Sequence, residues 1–141
     1  MTVLLLGAMF LAPLTSVADA GHSHGHADAK SEKKHNDEAH SKSKAELVPE
    51  LSTVMSQIET AVVAKDAGKL HDLTEALPHL AGHIAEKAPE AATARAQGSA
   101  KNINTLSAKL HAEADKGDFD AAAITAKKLS GMVNIFKGQV E

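Results

Sequence analysis

The sequence predicts an all-α fold: an antiparallel, up-down four-helix bundle that follows a disordered, histidine-rich N-terminal arm. Three observations lead to this prediction. Apolar residues recur at alternating steps of three and four in four segments, which is the spacing of one buried helix face. Short turns containing glycine or proline separate these segments. Hydrophobic residues make up 43% of the chain but aromatic residues only 2%, so alanine, the strongest helix former, supplies much of the apolar content.

The last segment, residues 116–140, carries the most regular pattern. Its apolar positions are Phe119, Ala122, Ala126, Leu129, Val133, Phe136 and Val140. Alternating steps of three and four place all of these side chains on one stripe of a helix. Such a stripe has to be buried against other helices, and Asp118 is placed to cap the first turn.

Three earlier segments supply the partner stripes of this bundle. They are residues 46–66 with Leu51, Met55, Ile58 and Val62; residues 69–87 with Leu70, Leu73, Leu77, Leu80 and Ile84; and residues 90–116 with Ala92, Ala96, Ser99, Ile103, Leu106 and Leu110. Gly68 can adopt positive φ in the first turn, and Gly82 and Gly131 are expected to let helices approach closely. Two helical hairpins over residues 45–141 then bury all four stripes.

Residues 1–20 have the organisation of a secretory signal peptide. The apolar run over residues 2–14 is too short to span a bilayer, and it is followed by an Ala-x-Ala pattern that ends at Ala20. We expect cleavage there and a periplasmic or secreted mature protein without a membrane segment. No Lys or Arg precedes the run, which indicates a start site further upstream; a buried helix is the alternative interpretation.

Residues 21–44 form the predicted arm, because they contain no Val, Ile, Leu, Met or aromatic residue with which to build a core. Five of the nine histidines of the chain lie here: His22, His24, His26, His35 and His40. Alternating histidines on a flexible chain can surround one metal ion, and imidazole suits Cu, Zn, Ni and Co. The alternative is a solvated linker that is rich in histidine.

The second helical segment carries a stripe of polar side chains at intervals of four: His71, Glu75, His79 and His83. With the leucines of that helix facing the core, His79 should point outward. Glu75 and His83 should flank it, and His71 should lie nearer the edge of the core.

Two imidazoles four residues apart can share a metal ion, so His79 and His83 form a second candidate site, with Glu86 as an added carboxylate. The alternative is ordinary surface histidine. His111, on the third segment, is isolated in the sequence and is expected to be half-buried rather than a ligand.

The leader and the two hairpins resemble the soluble b-type cytochromes and cytochromes c′ of the bacterial periplasm, most closely over residues 106–136 and more loosely over 58–77. In that family a haem lies between the first and last helices, ligated by Met and His or attached through a CxxCH motif. The matching positions here are close to Leu51 and Lys137, and the chain has no Cys. The resemblance therefore implies the fold and the compartment, and no haem. Met55 and Met132 are expected to pack in the core.

Several function classes lack their signatures. There is no HExxH, Walker or GxSxG motif, so we expect no enzyme. A net charge of −3 does not predict nucleic-acid binding. The sequence instead predicts a binding or buffering protein for a divalent transition metal (Cu, Zn, Ni or Co), with a metal-efflux or resistance component as its candidate partner. The alternatives are a non-catalytic interaction module tethered by the arm, and a cytochrome-like bundle that has lost or altered its haem binding.

Overall fold

Four helices account for nearly all of residues 41–141, the part of the chain that the computed structural model describes. They are α1 (Lys44–Ala64), α2 (Ala67–Glu86), α3 (Glu90–Asp115) and α4 (Phe119–Val140). Connections this short force consecutive helices to run antiparallel. Each helix packs on the next, and α1 also packs on α4, which closes the ring. The predicted four-helix bundle is confirmed; the signal peptide and the arm up to residue 40 lie outside the described residues.

The core consists of the predicted stripes. On α4 the buried residues Ala122, Ala126, Leu129, Val133, Phe136 and Val140 follow the predicted spacing, and only Phe119 is partly exposed. The stripes of α1 and α2 are likewise buried along their length. Met55 is 5% exposed and Met132 packs against the core, so the expected packing role of both methionines is confirmed.

Helix α3 faces its neighbours with smaller and more polar residues than the other three helices. Ser107 is fully buried and the adjacent Leu106 only partly so, which rotates the contact face slightly from the predicted stripe. Ser99 donates a hydrogen bond to Gln139 Oε1 at 2.8 Å and so ties α3 to the end of α4. The prediction for Gly82 was wrong, because a Cβ atom added there would meet nothing within 4 Å. Gly131 is equally open.

Side-chain caps hold two of the three turns between the helices. The carboxylates of Asp66 and Asp118 accept hydrogen bonds from the amides three residues on, at 3.0 and 3.1 Å, and so satisfy free amides at the starts of α2 and α4. Positive φ in the first turn falls on Lys65 (φ 55°), not on Gly68 as predicted, since Gly68 already belongs to α2. The start of α1 and the end of α4 meet at the opposite end of the bundle, where Lys44 Nζ donates to the carbonyl of Val140.

Helix α1 begins with a Ser43–Glu46 capping box. The hydroxyl and the amide of Ser43 both donate to Glu46 Oε2, at 2.7 and 2.8 Å. These two hydrogen bonds stabilise the charged carboxylate and lower the pKa of Glu46 below its ordinary value of 4.5. The negative charge also lies favourably at a helix N-terminus.

A pH-dependent contribution to stability follows from this lowered pKa. The contribution is fully present above about pH 4.5, where the unfolded carboxyl is also ionised, and is lost as the pH falls through the lowered pKa of the folded state. Glu46→Gln, which resembles the protonated form, should therefore melt below the wild type at pH 7, and the gap in melting temperature should be smaller at pH 3, below the ordinary pKa of 4.5. Circular-dichroism melts at both pH values measure the gap, with the exposed Glu59→Gln as control. A gap of equal size at both pH values would show that the charge of Glu46 is not its cause.

Candidate metal centre

Helices α2 and α3 bring three potential metal ligands together on the surface of the bundle. His71 and Glu75 lie one turn apart on α2, and His111 faces them from α3. One ligand atom from each of the three residues can be chosen so that all lie within 4.8 Å of one another. We call these three residues the α2–α3 cluster. It lies one turn from the bundle end that holds turns 65–66 and 116–118, away from Lys44.

The two imidazoles of the cluster are in contact. The ring centroids of His71 and His111 are 4.4 Å apart, and the ring planes are tilted by 48°. Each ring also has a carboxylate one helical turn further on: His71 Nε2 is 3.5 Å from Glu75 Oε1, and His111 Nε2 is 3.2 Å from Asp115 Oδ2. The two carboxylates place negative charge beside the ring nitrogens, and this charge favours a cation at this point.

The depth of the three side chains differs. The side chain of His111 is 26% exposed, whereas those of His71 and Glu75 are about half exposed, at 49% and 53%. On its inner side, His111 Nδ1 is 3.1 Å from the hydroxyl oxygen of the buried Thr74. His111 is therefore the anchored member of the cluster, and the other two ligands are free to adjust from the solvent side.

The spacing of the cluster is compatible with a small divalent ion. A tetrahedral zinc ion, with bonds of about 2.0–2.2 Å, holds its ligand atoms roughly 3.3–3.5 Å apart. A separation of 4.8 Å between two ligand atoms must therefore shrink by roughly 1.3–1.5 Å. Because the side chains of His71 and Glu75 are half exposed, they have room to rotate toward an ion. Three protein ligands leave at least one coordination position for water or an exchanging ligand.

A shallow groove of about 640 Å³ runs along the α2–α3 interface beside the cluster. Its walls contain Thr74, Glu75, Pro78, His79, Gly82, Ala100, Lys101, Asn104, Ala108 and His111. The small residues among these keep the groove open, and Gly82 contributes because it has no side chain. The groove gives solvent and small solutes direct access to the ligand atoms of Glu75 and His111.

The histidines predicted on α2 separate into three environments. His71 belongs to the cluster. It is exposed, whereas the prediction placed it nearer the edge of the core. His79 lines the groove but is not a member of the cluster. His83 does not flank His79 on the surface, because it is only 7% exposed. Its Nδ1 is 3.5 Å from Glu86 Oε2, so the predicted approach of that carboxylate does occur.

The burial of His83 has a geometric cause. Near its end α2 buries a wide arc rather than a narrow stripe, and the buried residues there are Leu80, Ala81, His83, Ile84 and Ala85. Side chains roughly 100° from the centre of the apolar stripe are then still covered, since each residue advances about 100° around a helix. His79 and His83 therefore do not form the predicted surface pair, because His79 lines the groove and His83 is buried.

The proximity of His111 to His71 was not predicted from the sequence, because His111 was treated as isolated. His111 is half-buried as expected, but it lies against His71. The available signal was a repeated motif: His71 and His111 are each followed four residues later by an acid, Glu75 and Asp115. The five arm histidines, His22, His24, His26, His35 and His40, lie outside the described residues.

No protein-family model, curated protein or solved structure matches this chain. The resemblance to the periplasmic cytochromes stays a prediction. Leu51, close to which the resemblance places one haem ligand, is a fully buried core residue. Among residues 41–141, no helix combines the length and the apolar character that crossing a bilayer requires.

Proposed function

We propose that this protein binds divalent transition-metal ions (Cu, Zn, Ni or Co) reversibly, as a non-catalytic binding or buffering protein. The observation that carries the proposal is the α2–α3 cluster, in which two imidazoles and a carboxylate from two helices converge within 4.8 Å. The predicted signal peptide supports a periplasmic or secreted location for this activity. The physiological role that we propose for this binding is to assist metal efflux or metal resistance.

The donor set supports a transition metal rather than calcium or magnesium. Calcium and magnesium prefer oxygen ligands, whereas two imidazole nitrogens with one carboxylate suit zinc, copper, nickel and cobalt. The half-exposed ligands and the adjoining groove favour exchange over permanent retention. A structural zinc site, in contrast, is closed by four protein ligands.

The arm is the second element of the proposal. Its five histidines, His22, His24, His26, His35 and His40, would capture ions independently of the bundle. In both places the ion competes with protons for imidazole, so binding should weaken below about pH 6.

Isothermal titration of the full mature chain at pH 7.5 tests the proposal and assigns the sites. Zn²⁺, Cu²⁺, Ni²⁺ and Co²⁺ are titrated into the wild type, a His71→Ala/His111→Ala variant, and a variant in which all five arm histidines are alanine. His79→Ala is the matched control, because His79 lines the same groove outside the cluster. We expect the double variant to lose one binding event, the arm variant to keep it, and His79→Ala to match the wild type.

Two results would contradict the proposal at different levels. A wild type that binds none of the four ions removes metal binding as the function. A double variant that binds as much metal as the wild type, beside an arm variant that binds none, removes the bundle site and leaves the arm alone as the metal-binding element.

A further inference from the structure

Thr74 is a buried polar residue directly beneath the α2–α3 cluster. It lies on α2 between His71 and Glu75, and it is 3% exposed. Three polar atoms surround its hydroxyl oxygen: the carbonyl oxygen of Leu70 at 2.7 Å, the carbonyl oxygen of His71 at 3.0 Å, and His111 Nδ1 at 3.1 Å. The way in which this hydroxyl shares its single hydrogen determines the state of His111.

A hydroxyl has one hydrogen to donate and two lone pairs that accept, whereas a carbonyl oxygen can only accept. The short 2.7 Å contact therefore requires the Thr74 hydrogen to point at Leu70 O. The Thr74 oxygen is then an acceptor toward α3, and His111 satisfies it by donating Nδ1–H. The opposite arrangement, with Thr74 donating to Nδ1, would leave lone pairs of the Thr74 and Leu70 oxygens facing each other at 2.7 Å in a buried site, which is repulsive.

We propose that Thr74 is a positioning residue that holds neutral His111 in its Nδ1–H tautomer and so presents Nε2 as the metal-binding nitrogen. This inference deepens the proposed function and rests on it for its consequences in metal binding, but the tautomer itself is a property of the metal-free protein. With Nδ1 occupied, the free lone pair is on Nε2, the atom 3.2 Å from Asp115 Oδ2. An ion bound at Nε2 would also be within the field of that carboxylate.

The hydrogen bond between Thr74 and His111 is of the kind that an outer-shell residue makes to a metal ligand. Histidines that bind metals generally donate their other ring N–H to an oxygen, which fixes the tautomer and the ring orientation and raises the basicity of the ligating nitrogen. Here that oxygen belongs to the helix that carries the other two ligands. Thr74 therefore also fixes the ligand from α3 in register with His71 and Glu75.

The first test reads the tautomer without metal. Nitrogen-15 NMR of the imidazole nitrogens in the full mature chain is recorded at about pH 8.5, where an ordinary imidazole is neutral. We expect His111 to be predominantly Nδ1–H in the wild type and in Thr74→Ser, which keeps the hydroxyl. Thr74→Val, which keeps the shape and removes the hydroxyl, should shift His111 toward Nε2–H. A wild type in which His111 is mainly Nε2–H overturns the inference, whether or not Thr74→Val folds.

The second test reads the consequence with Zn²⁺ as the probe. Thr74→Val should bind Zn²⁺ at the cluster about 10–100-fold more weakly, the usual effect of losing an outer-shell partner, and Thr74→Ser should stay close to the wild type. Equal affinity of Thr74→Val and wild type overturns the positioning role. If the wild type binds no metal yet shows the Nδ1–H tautomer, the proposed function fails and the assignment of the tautomer stands, so the two failures are distinguishable.

Discussion

Zn²⁺ at about one hundred times its dissociation constant is expected to raise the free energy of unfolding by about 2.7 kcal/mol. For a folded unit of this size such a gain corresponds to a rise in melting temperature of roughly 10–20 °C. The physical reason is that His71 and Glu75 on α2 meet His111 on α3 only in the folded chain. The arm histidines, in contrast, all lie within one segment of 19 residues, so we expect metal bound there to have little preference for the folded state and to stabilise it little.

Thermal melts with Zn²⁺ and with a chelator measure this effect and separate the two groups of histidines. His71→Ala/His111→Ala should lose the shift, whereas the variant without arm histidines and His79→Ala should keep it. The shift should also shrink below about pH 6, where protons displace the metal from imidazole. A shift that survives the double variant, or disappears with the arm histidines, would contradict a site between α2 and α3.

Phe136→Ala is expected to lower the free energy of unfolding by about 3–5 kcal/mol, a large part of the 5–15 kcal/mol that stabilises a typical domain. Phe136 is the largest of the fully buried side chains, at 0% exposure on α4. Its removal forfeits the burial of an aromatic ring and leaves a cavity that the neighbouring helices cannot fill completely.

Urea unfolding followed by circular dichroism measures this loss, and the adjacent residue provides the control. Ile135 is 58% exposed, because a step of one residue turns the side chain about 100° around the helix and away from the core. Ile135→Ala should therefore change the free energy of unfolding by no more than about 0.5 kcal/mol. Equal losses in the two variants would mean that α4 does not bury the stripe that contains Phe136.

The architecture was predictable because its information is local. A helix stripe is encoded by spacing along a single segment, and that spacing identified Leu70, Leu77 and Ile84 as core residues before any contact was known. The short turns then left antiparallel packing as the simplest solution. The errors in this part concern single positions, such as Lys65 taking the positive φ expected for Gly68.

The site was only half predictable, because its remaining information is not local. The stripe on α2 identified His71 and Glu75, but the arrival of His111 depends on how α3 is rotated and displaced along α2. No spacing within α3 determines that register. His83 was misplaced for a related reason: the width of the buried arc near the end of α2 is set by the neighbouring elements of the fold, not by the helix itself.

The contact between Lys44 and Val140 limits which arm residues can reach the α2–α3 cluster. The arm joins the bundle at this end, and α1, 21 residues long, spans about 30 Å before the end near which the cluster lies. Even a fully stretched chain advances only about 3.3–3.6 Å per residue, so His40, four residues before Lys44, covers roughly half that length. His35, nine residues before Lys44, can cover about 30 Å, and the triplet formed by His22, His24 and His26 can reach further still. An ion shared between the arm and the bundle can therefore be bound by His35 or by the triplet, whereas His40 is too close to Lys44 in sequence to reach the cluster.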